Sequence, residues 1–268
     1  MSDSLPPEFA EALRASAPRR GRFGDPIWFF SETGSTNDVA ASLAERGAPE
    51  GATVVASAQA AGRGRFGRAW FSPAGAGLYV SVVCRNAAAA PLLTLAGGVA
   101  VADGVRAATG LPVQIKWPND VVIEGAARVR RRKLAGILAE ASTGADGLQH
   151  VILGFGINLR TAAYPPELAD RATSIETELG RPPDGAAVLA ETLVALASLV
   201  ARLAVGDTHP VLARWRELAP SSRGVAVEWE TTAGTVLGTS AGIADDGALL
   251  VKVADRVERV ISGELRWS

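Results

Sequence analysis

Residues 61–70 read AGRGRFGRAW. Gly62, Gly64 and Gly67 fall in the G-x-G-x-x-G spacing of a dinucleotide-binding turn, and the choice of fold hangs on whether they form one. Such a turn needs a strand before it, a helix directly after it and an acidic side chain about 20 positions on. The strand is plausible, because TVVASA at 53–58 is rich in β-branched residues. The helix is not: RAWFSPAGAG follows, with a proline and several glycines. The segment where the acid should stand, CRNAAAA, has none. Arg63 and Arg65 also stand between the glycines, where a dinucleotide turn packs small residues, and Arg68 follows them. A doubly wound dinucleotide fold is therefore set aside. What remains is a loop suited to an anion, since glycine lets the backbone come close and arginine offers a rigid fork of donors. A loop of this kind is expected to order when a ligand arrives. Taken alone, the stretch also fits a solvated basic loop.

The rest of the chain narrows the choice. It has 268 residues, 48% hydrophobic and 21% charged, with net charge −1. That is an ordinary globular composition without a general attraction to nucleic acid or acidic membranes, so any basic site is local. Cys84 is the one cysteine, which rules out an internal disulfide and fits a reducing compartment. His150 and His209 lack metal-ligand spacing. No stretch approaches about 18 unbroken apolar residues, and the N-terminus lacks a signal-type apolar core. The expectation is a cytoplasmic protein.

Periodicity divides the chain. A short helix is expected near 7–16, and another over STNDVAASLAERG, capped by Ser35 or Thr36 and stopped at Gly47. LYVSVVC (78–84) reads as a strand, and LLTLAGGVAVADGVRAAT (92–109) as a Gly- and Ala-rich helix lying on a sheet. VQIKW and DVVIE flank a Pro118–Asn119 turn, which predicts a hairpin. KLAGILAEA (133–141) and HVILGFGIN (150–158) are further strands. Helices are predicted at 184–204, where apolar residues recur at helical spacing, and at 210–218. Beyond Pro220 come short strands and tight turns, with DDG at 245–247 as a hairpin signal. The expected architecture is α+β: a short extension (1–26), a mixed-sheet domain (27–220) and a small β domain of barrel type (221–268).

Three more polar turns accompany the Gly–Arg loop. Lys116, Asn119 and Asp120 stand in KWPND, Lys133 enters a strand after Arg130, Arg131 and Arg132, and Asn158 follows the glycine pair Gly154 and Gly156. Turns of this kind around one sheet point to a ligand site.

These pieces resemble the biotin–protein ligases. STN (35–37), GRGRFGRAWFSP (62–73), KWPND (116–120), KLAGIL (133–138) and GFGINL (154–159) occur in the order and spacing of that family. The resemblance covers about 27–268 and implies a catalytic domain of the class II biotin/lipoate ligase type with a small SH3-like C-terminal domain. It implies ATP-dependent formation of biotinyl-5′-AMP with pyrophosphate release, then transfer to a lysine of a biotin carboxyl carrier domain. A lipoate or octanoyl ligase or transferase of the same fold is the alternative.

By the same resemblance, Ser35, Thr36, Asn37 and Gln59 meet the biotin ring, where hydroxyls and amides suit a ureido group that both donates and accepts. Arg63, Gly64 and Arg65 belong to the loop over the adenylate, with Arg63 and Lys133 as the catalytic cations and Lys133 touching biotin as well. Arg65, Arg68, Trp70, Lys116, Asn119 and Asn158 are expected on the ATP side, and Asp120 at Mg²⁺. Phe66 replaces a further arginine of the family pattern and is expected to pack over the ligand. Ser35 or Thr36 as a plain cap, and Asn119 and Asp120 as a plain turn, are the structural alternatives. No Ser–His or Cys–His set is present, so catalysis by positioning and electrostatics is the expectation. The residues before Ser35 are too few for a winged helix, so no nucleic-acid partner is expected. Monomer and weak homodimer both stay open.

Overall fold

A computed structural model describes residues 2–124, 131–162, 164–231, 234–263 and 265–267. The chain enters through α1 (Pro7–Arg20), β1 (Ile27–Phe30), α2 (Thr36–Glu45) and β2 (Thr53–Ala56). After the Gly–Arg loop come β3 (Gly77–Cys84), α3 (Leu93–Thr109) and the hairpin of β4 (Gln114–Lys116) and β5 (Asp120–Glu124). Two long strands follow, β6 (Arg131–Gly144) and β7 (Gly147–Asn158). The helices α4 (Pro166–Ala169), α5 (Ile175–Leu179), α6 (Gly185–Ala204) and α7 (His209–Leu218) complete the first part. The last part is β8 (Arg223–Thr231), β9 (Gly234–Ile243), β10 (Leu249–Val253), β11 (Arg256–Val260) and β12 (Leu265–Trp267).

The fold is mixed α+β, with a seven-stranded sheet ordered β1-β2-β3-β7-β6-β5-β4. Only β1 and β2 run parallel within it, joined through α2. Strand alternation assigns the two faces. Leu78, Val80, Val82 and Cys84 of β3 and Val151, Leu153, Phe155 and Ile157 of β7 enter the main core under α3 and α6. Val83 and Ile152 turn the other way, toward Ala40 and Ala44 of α2. The same alternation sends Ser81, Gly154, Gly156 and Asn158 to the α2 side, where the loops gather.

The phase changes once. In the pairing of β5 with β6, Val121 faces Ala135 and Val122 faces Lys133, so Leu134 is an extra residue. Leu134 is fully buried in the core. This bulge returns Lys133 to the face that carries Gly136, which strict alternation would deny it.

Helix α3 lies on the sheet as its composition predicts, with Gly97 against Ile137 and Leu153. Helix α6 packs on α3, and α1 packs on α6, where Arg19 donates to both carboxylate oxygens of Glu191. Asp184 caps α6 by accepting from Ala187 N–H at 2.9 Å. By length and composition alone, α6 and the run Ala90–Thr109 could each cross a membrane, although the sequence shows no unbroken apolar run. Here their apolar faces cover the sheet and each other.

The last part is a five-stranded antiparallel sheet, ordered β11-β10-β9-β8-β12. Its buried residues, Val227, Ile243, Leu249, Val251 and Val260 among them, join the main core. Trp117, next to the predicted Pro118–Asn119 turn, is buried and donates its indole N–H to Gly247 O at 3.0 Å. It therefore fastens the predicted DDG turn to the KWPND turn.

The basic run at 130–133 departs from expectation. Arg130 lies outside the described residues. Arg131 and Arg132 are strand residues paired with Glu124 and Glu178 at 3.0 and 2.8 Å, not a solvated turn.

Helices α3 and α6 pack closely at Gly104, where an added Cβ would lie 2.3 Å from Thr192 Oγ1 and 2.6 Å from its backbone N. Gly104→Ala is expected to cost about 1–3 kcal/mol by forcing the helices apart. An unchanged urea midpoint in equilibrium unfolding would contradict that packing.

Candidate functional site

The loops on the α2 side of the sheet enclose a cleft of about 1040 Å³. One end is a neutral polar cradle. Ser35 has extended backbone and makes no side-chain capping bond to α2. The Thr36 N–H donates instead to Gln59 Oε1 at 2.8 Å, and the Thr36 hydroxyl donates to the same oxygen at 3.0 Å. Gln59 thus replaces the cap expected of Ser35 or Thr36. Its own Nε2 donates to Ser72 Oγ at 3.1 Å. Ser81 Oγ lies 2.8 Å from Thr36 Oγ1 and 2.5 Å from Asn37 Oδ1, and its single proton serves one of them at a time. The cradle can therefore trade donors and acceptors with a ligand that carries both.

The floor is made of glycine. A Cβ on Gly154 would lie 2.3 Å from Asn37 Oδ1. Gly136 and Gly156 are paired across β6 and β7, and Cβ atoms there would meet the Trp70 indole at 2.9 and 2.4 Å. These glycines admit protein side chains, which in turn line the cleft. Trp70 Nε1 is buried on this floor without a hydrogen-bond partner, and the Lys133 ammonium sits 4.9 Å from the centre of its ring.

The other end is cationic. Lys133 Nζ is 2.5 Å from Asp120 Oδ1, an ion pair without aligned hydrogen-bond geometry. Burial pulls the half-buried Lys116 ammonium below the usual lysine range; Asp120 opposes this, while Arg131, Lys133 and Arg171 add to it. Arg65 is also drawn down by burial and supported by Asp120. Asn119 donates its amide to Ile137 O at 2.8 Å, which leaves the amide oxygen for a ligand. Asn158 donates to Thr173 O at 2.8 Å and so holds the segment before α5 against the cleft.

Among the described residues no three of His, Cys, Asp and Glu gather into a metal cage. Asp120 with the Asn119 oxygen is the partial oxygen set that suits Mg²⁺ arriving with phosphates, since that ion keeps few protein ligands.

Every residue assigned to the site from sequence lines this cleft: Ser35 to Asn37, Gln59, Arg63 to Arg65, Arg68, Trp70, Lys116, Asn119, Asp120, Lys133 and Asn158. Three details were not foreseen. Arg63 is held between Asp38 and Glu140. The loop closes as a hairpin by its own bonds, Gly64 N–H to Arg68 O at 2.7 Å and Trp70 N–H to Gly62 O at 2.8 Å. Phe66 is 64% exposed, with the Arg65 guanidinium 4.8 Å from its ring centre.

Sequence reasoning missed Ser81, Glu140 and Gly136, although each stands in the cleft-facing phase of its strand. It also missed Arg266 and Trp267, which reach the cleft from β12. Their position depends on how the small sheet docks, and no local pattern reports that.

Comparisons with known proteins agree with this geometry. Residues 29–158 match the model described as Biotin/lipoate A/B protein ligase family, and 224–265 match Biotin protein ligase C terminal domain. The chain is 34% identical over 273 residues to the biotin--[acetyl-CoA-carboxylase] ligase of Mycobacterium tuberculosis, covering 97% of this chain and 96% of that one. It is 35% identical over 247 residues to the bifunctional ligase/repressor BirA of Bacillus spizizenii, covering 90% and 74%. The fold superposes on the biotin protein ligase of Aquifex aeolicus, determined in complex with biotin and ATP, with a TM-score of 0.76 and 27% identity over 90% of this chain and 99% of that one.

Burial of the Lys116 ammonium, with nearby cations adding to it, is a cost to the fold. Lys116→Met is expected to raise stability at neutral pH by up to about 1 kcal/mol. The folded pKa lies below the unfolded one, so wild-type stability from this group rises with pH between the two. The advantage of the variant should shrink over that alkaline window, as denaturant unfolding at several pH values would reveal.

Proposed function

The chain belongs to the biotin protein ligase family, and we propose that it activates biotin as biotinyl-5′-AMP and transfers the biotinyl group to a lysine of a biotin carboxyl carrier domain. The observation that carries this reading is a single cleft with a neutral cradle at one end and crowded cations at the other. A ligand with a ureido ring and a carboxylate tail matches that polarity, and the tail lies where a nucleotide's phosphates would be neutralised.

Thr36, Asn37 and Gln59 would hold the ring through donors and acceptors already linked to Ser81. Trp70, seated on Gly136 and Gly156, would wall the apolar part. In the first step a carboxylate oxygen of biotin attacks the α-phosphorus of ATP, the bond to the β-phosphate oxygen breaks, and pyrophosphate leaves. Both reactants are anions, so the protein's task is to offset their repulsion and the charge that grows at phosphorus. Lys133, with Lys116 and Arg65 beside it, supplies fixed positive charge there. When bound, Mg²⁺ would add charge neutralisation at the phosphates, held by Asp120 and the Asn119 oxygen.

In the second step a neutral lysine amine of the carrier attacks the acyl carbon, its proton is released, and AMP leaves. No side chain of this chain needs to bond covalently to the substrate; the cleft contributes orientation. The macromolecular partner in this reading is the carrier domain rather than a nucleic acid, and the location is cytoplasmic.

Labelled biotin should pass to a carrier domain only when ATP is present, and lipoate should fail to replace biotin in ATP–pyrophosphate exchange. Lys133→Ala is expected to slow exchange about 10²–10³-fold. Efficient exchange with lipoate would reverse the substrate assignment, and wild-type exchange by the variant would remove Lys133 from the chemistry.

A further inference from the structure

Arg63 stands in the cleft wall with its guanidinium already committed. Its Nη1 and Nη2 each donate at 2.7 Å to one carboxylate oxygen of Asp38, in the first turn of α2. Nη2 also donates to Glu140 Oε2 on β6 at 3.2 Å, and that same oxygen accepts from Asn37 Nδ2. One cation between two carboxylates makes a set of formal charge −1, so a further anion brought to Arg63 would meet net repulsion. The fork-to-fork geometry with Asp38 fixes direction as well as charge. Asp38 is correspondingly held below the ordinary carboxylate range by that hydrogen bond, which keeps the pair formed at neutral pH.

Within the loop, Gly64 N–H bonds to Arg68 O and Trp70 N–H to Gly62 O, and just before it Ala60 and Ala61 donate to Thr33 O and Gly34 O. Trp70 anchors its C-terminal side on the glycine floor. On the N-terminal side, Arg63 joins it to α2 and β6.

We propose that Asp38 and Glu140 make Arg63 a tether for the loop rather than an anion ligand, and that Glu140 links the cradle at Asn37 to the seating of that loop. Asp38 and Glu140 are then positioning residues acting through Arg63 and Asn37. A ligand that engages Asn37 changes what Glu140 must satisfy, so ring recognition and loop position are coupled through one carboxylate. The consequences for turnover rest on the biotin ligase reading; the tether itself does not.

The loop carries its own reporter, because trypsin can cut after Arg65 and Arg68. Cleavage at these two bonds, followed by mass spectrometry on the protein alone, measures how often the loop lifts. Asp38→Asn and Glu140→Gln should each speed it about two- to fivefold, the range of a partly exposed ion pair. Asp38→Asn should add nothing in an Arg63→Gln background, because its partner is already gone. With biotin and ATP, Asp38→Asn should release biotinyl-AMP faster by a similar factor while kcat for pyrophosphate release stays within about twofold. Unchanged cleavage in both single variants overturns the tether. Slower release of biotinyl-AMP in Asp38→Asn also overturns it, since that is what a freed, anion-binding Arg63 would give. Faster cleavage in a protein whose wild type makes no biotinyl-AMP supports the tether and removes the ligase reading instead.

Discussion

The site depends on three places where no Cβ fits. Gly136, Gly154 and Gly156 lie side by side on β6 and β7, and the space their missing side chains leave is filled by Asn37 and Trp70. Those two side chains set the level of the cleft floor. Asn37 carries the polar cradle of Ser81, Thr36 and Gln59 with it, and Trp70 fixes where the Lys133 ammonium can lie. Packing at this distance is stiff, so the protein's own side chains fix the shape of the floor.

Charge is balanced over the same surface. Lys116, Arg65, Lys133 and Arg171 crowd one end of the cleft, with Asp120 the carboxylate that pulls on both Lys116 and Arg65. That end favours an incoming polyanion. The rim near α2 is the reverse, with Arg63 between Asp38 and Glu140. Two arginines a single residue apart in sequence therefore sit in different settings: Arg65 is partly buried with Asp120 as its opposing charge, while Arg63 is clamped between two carboxylates. A run of alternating glycine and arginine gives no hint of that division.

Much of the rest was legible. Helices α3 and α6 follow from apolar spacing, the β4–β5 hairpin from Pro118 and Asn119, and the β9–β10 turn from Asp245, Asp246 and Gly247. Period-two alternation in HVILGFGIN separates Gly154, Gly156 and Asn158 from the core residues between them. Four-residue β1 and three-residue β12 carry too little pattern to read. An indole beside a loop serves equally well as ligand wall or strut, and for Trp117 its bond to Gly247 identifies the strut.

The sequence by itself determined which residue types line the cleft and in what order: STN, the Gly–Arg loop, KWPND, Lys133 and the paired glycines. Each motif is a short contiguous stretch and so is visible in the sequence, and the resemblance to the biotin–protein ligases gathers them into one site. Which side chains face each other was decided by the tertiary structure. The extra residue Leu134 in β6 reverses the alternation and turns Lys133 out of the core toward Asp120 and Trp70. A bulge is a property of two paired strands, so no inspection of KLAGIL alone can locate it.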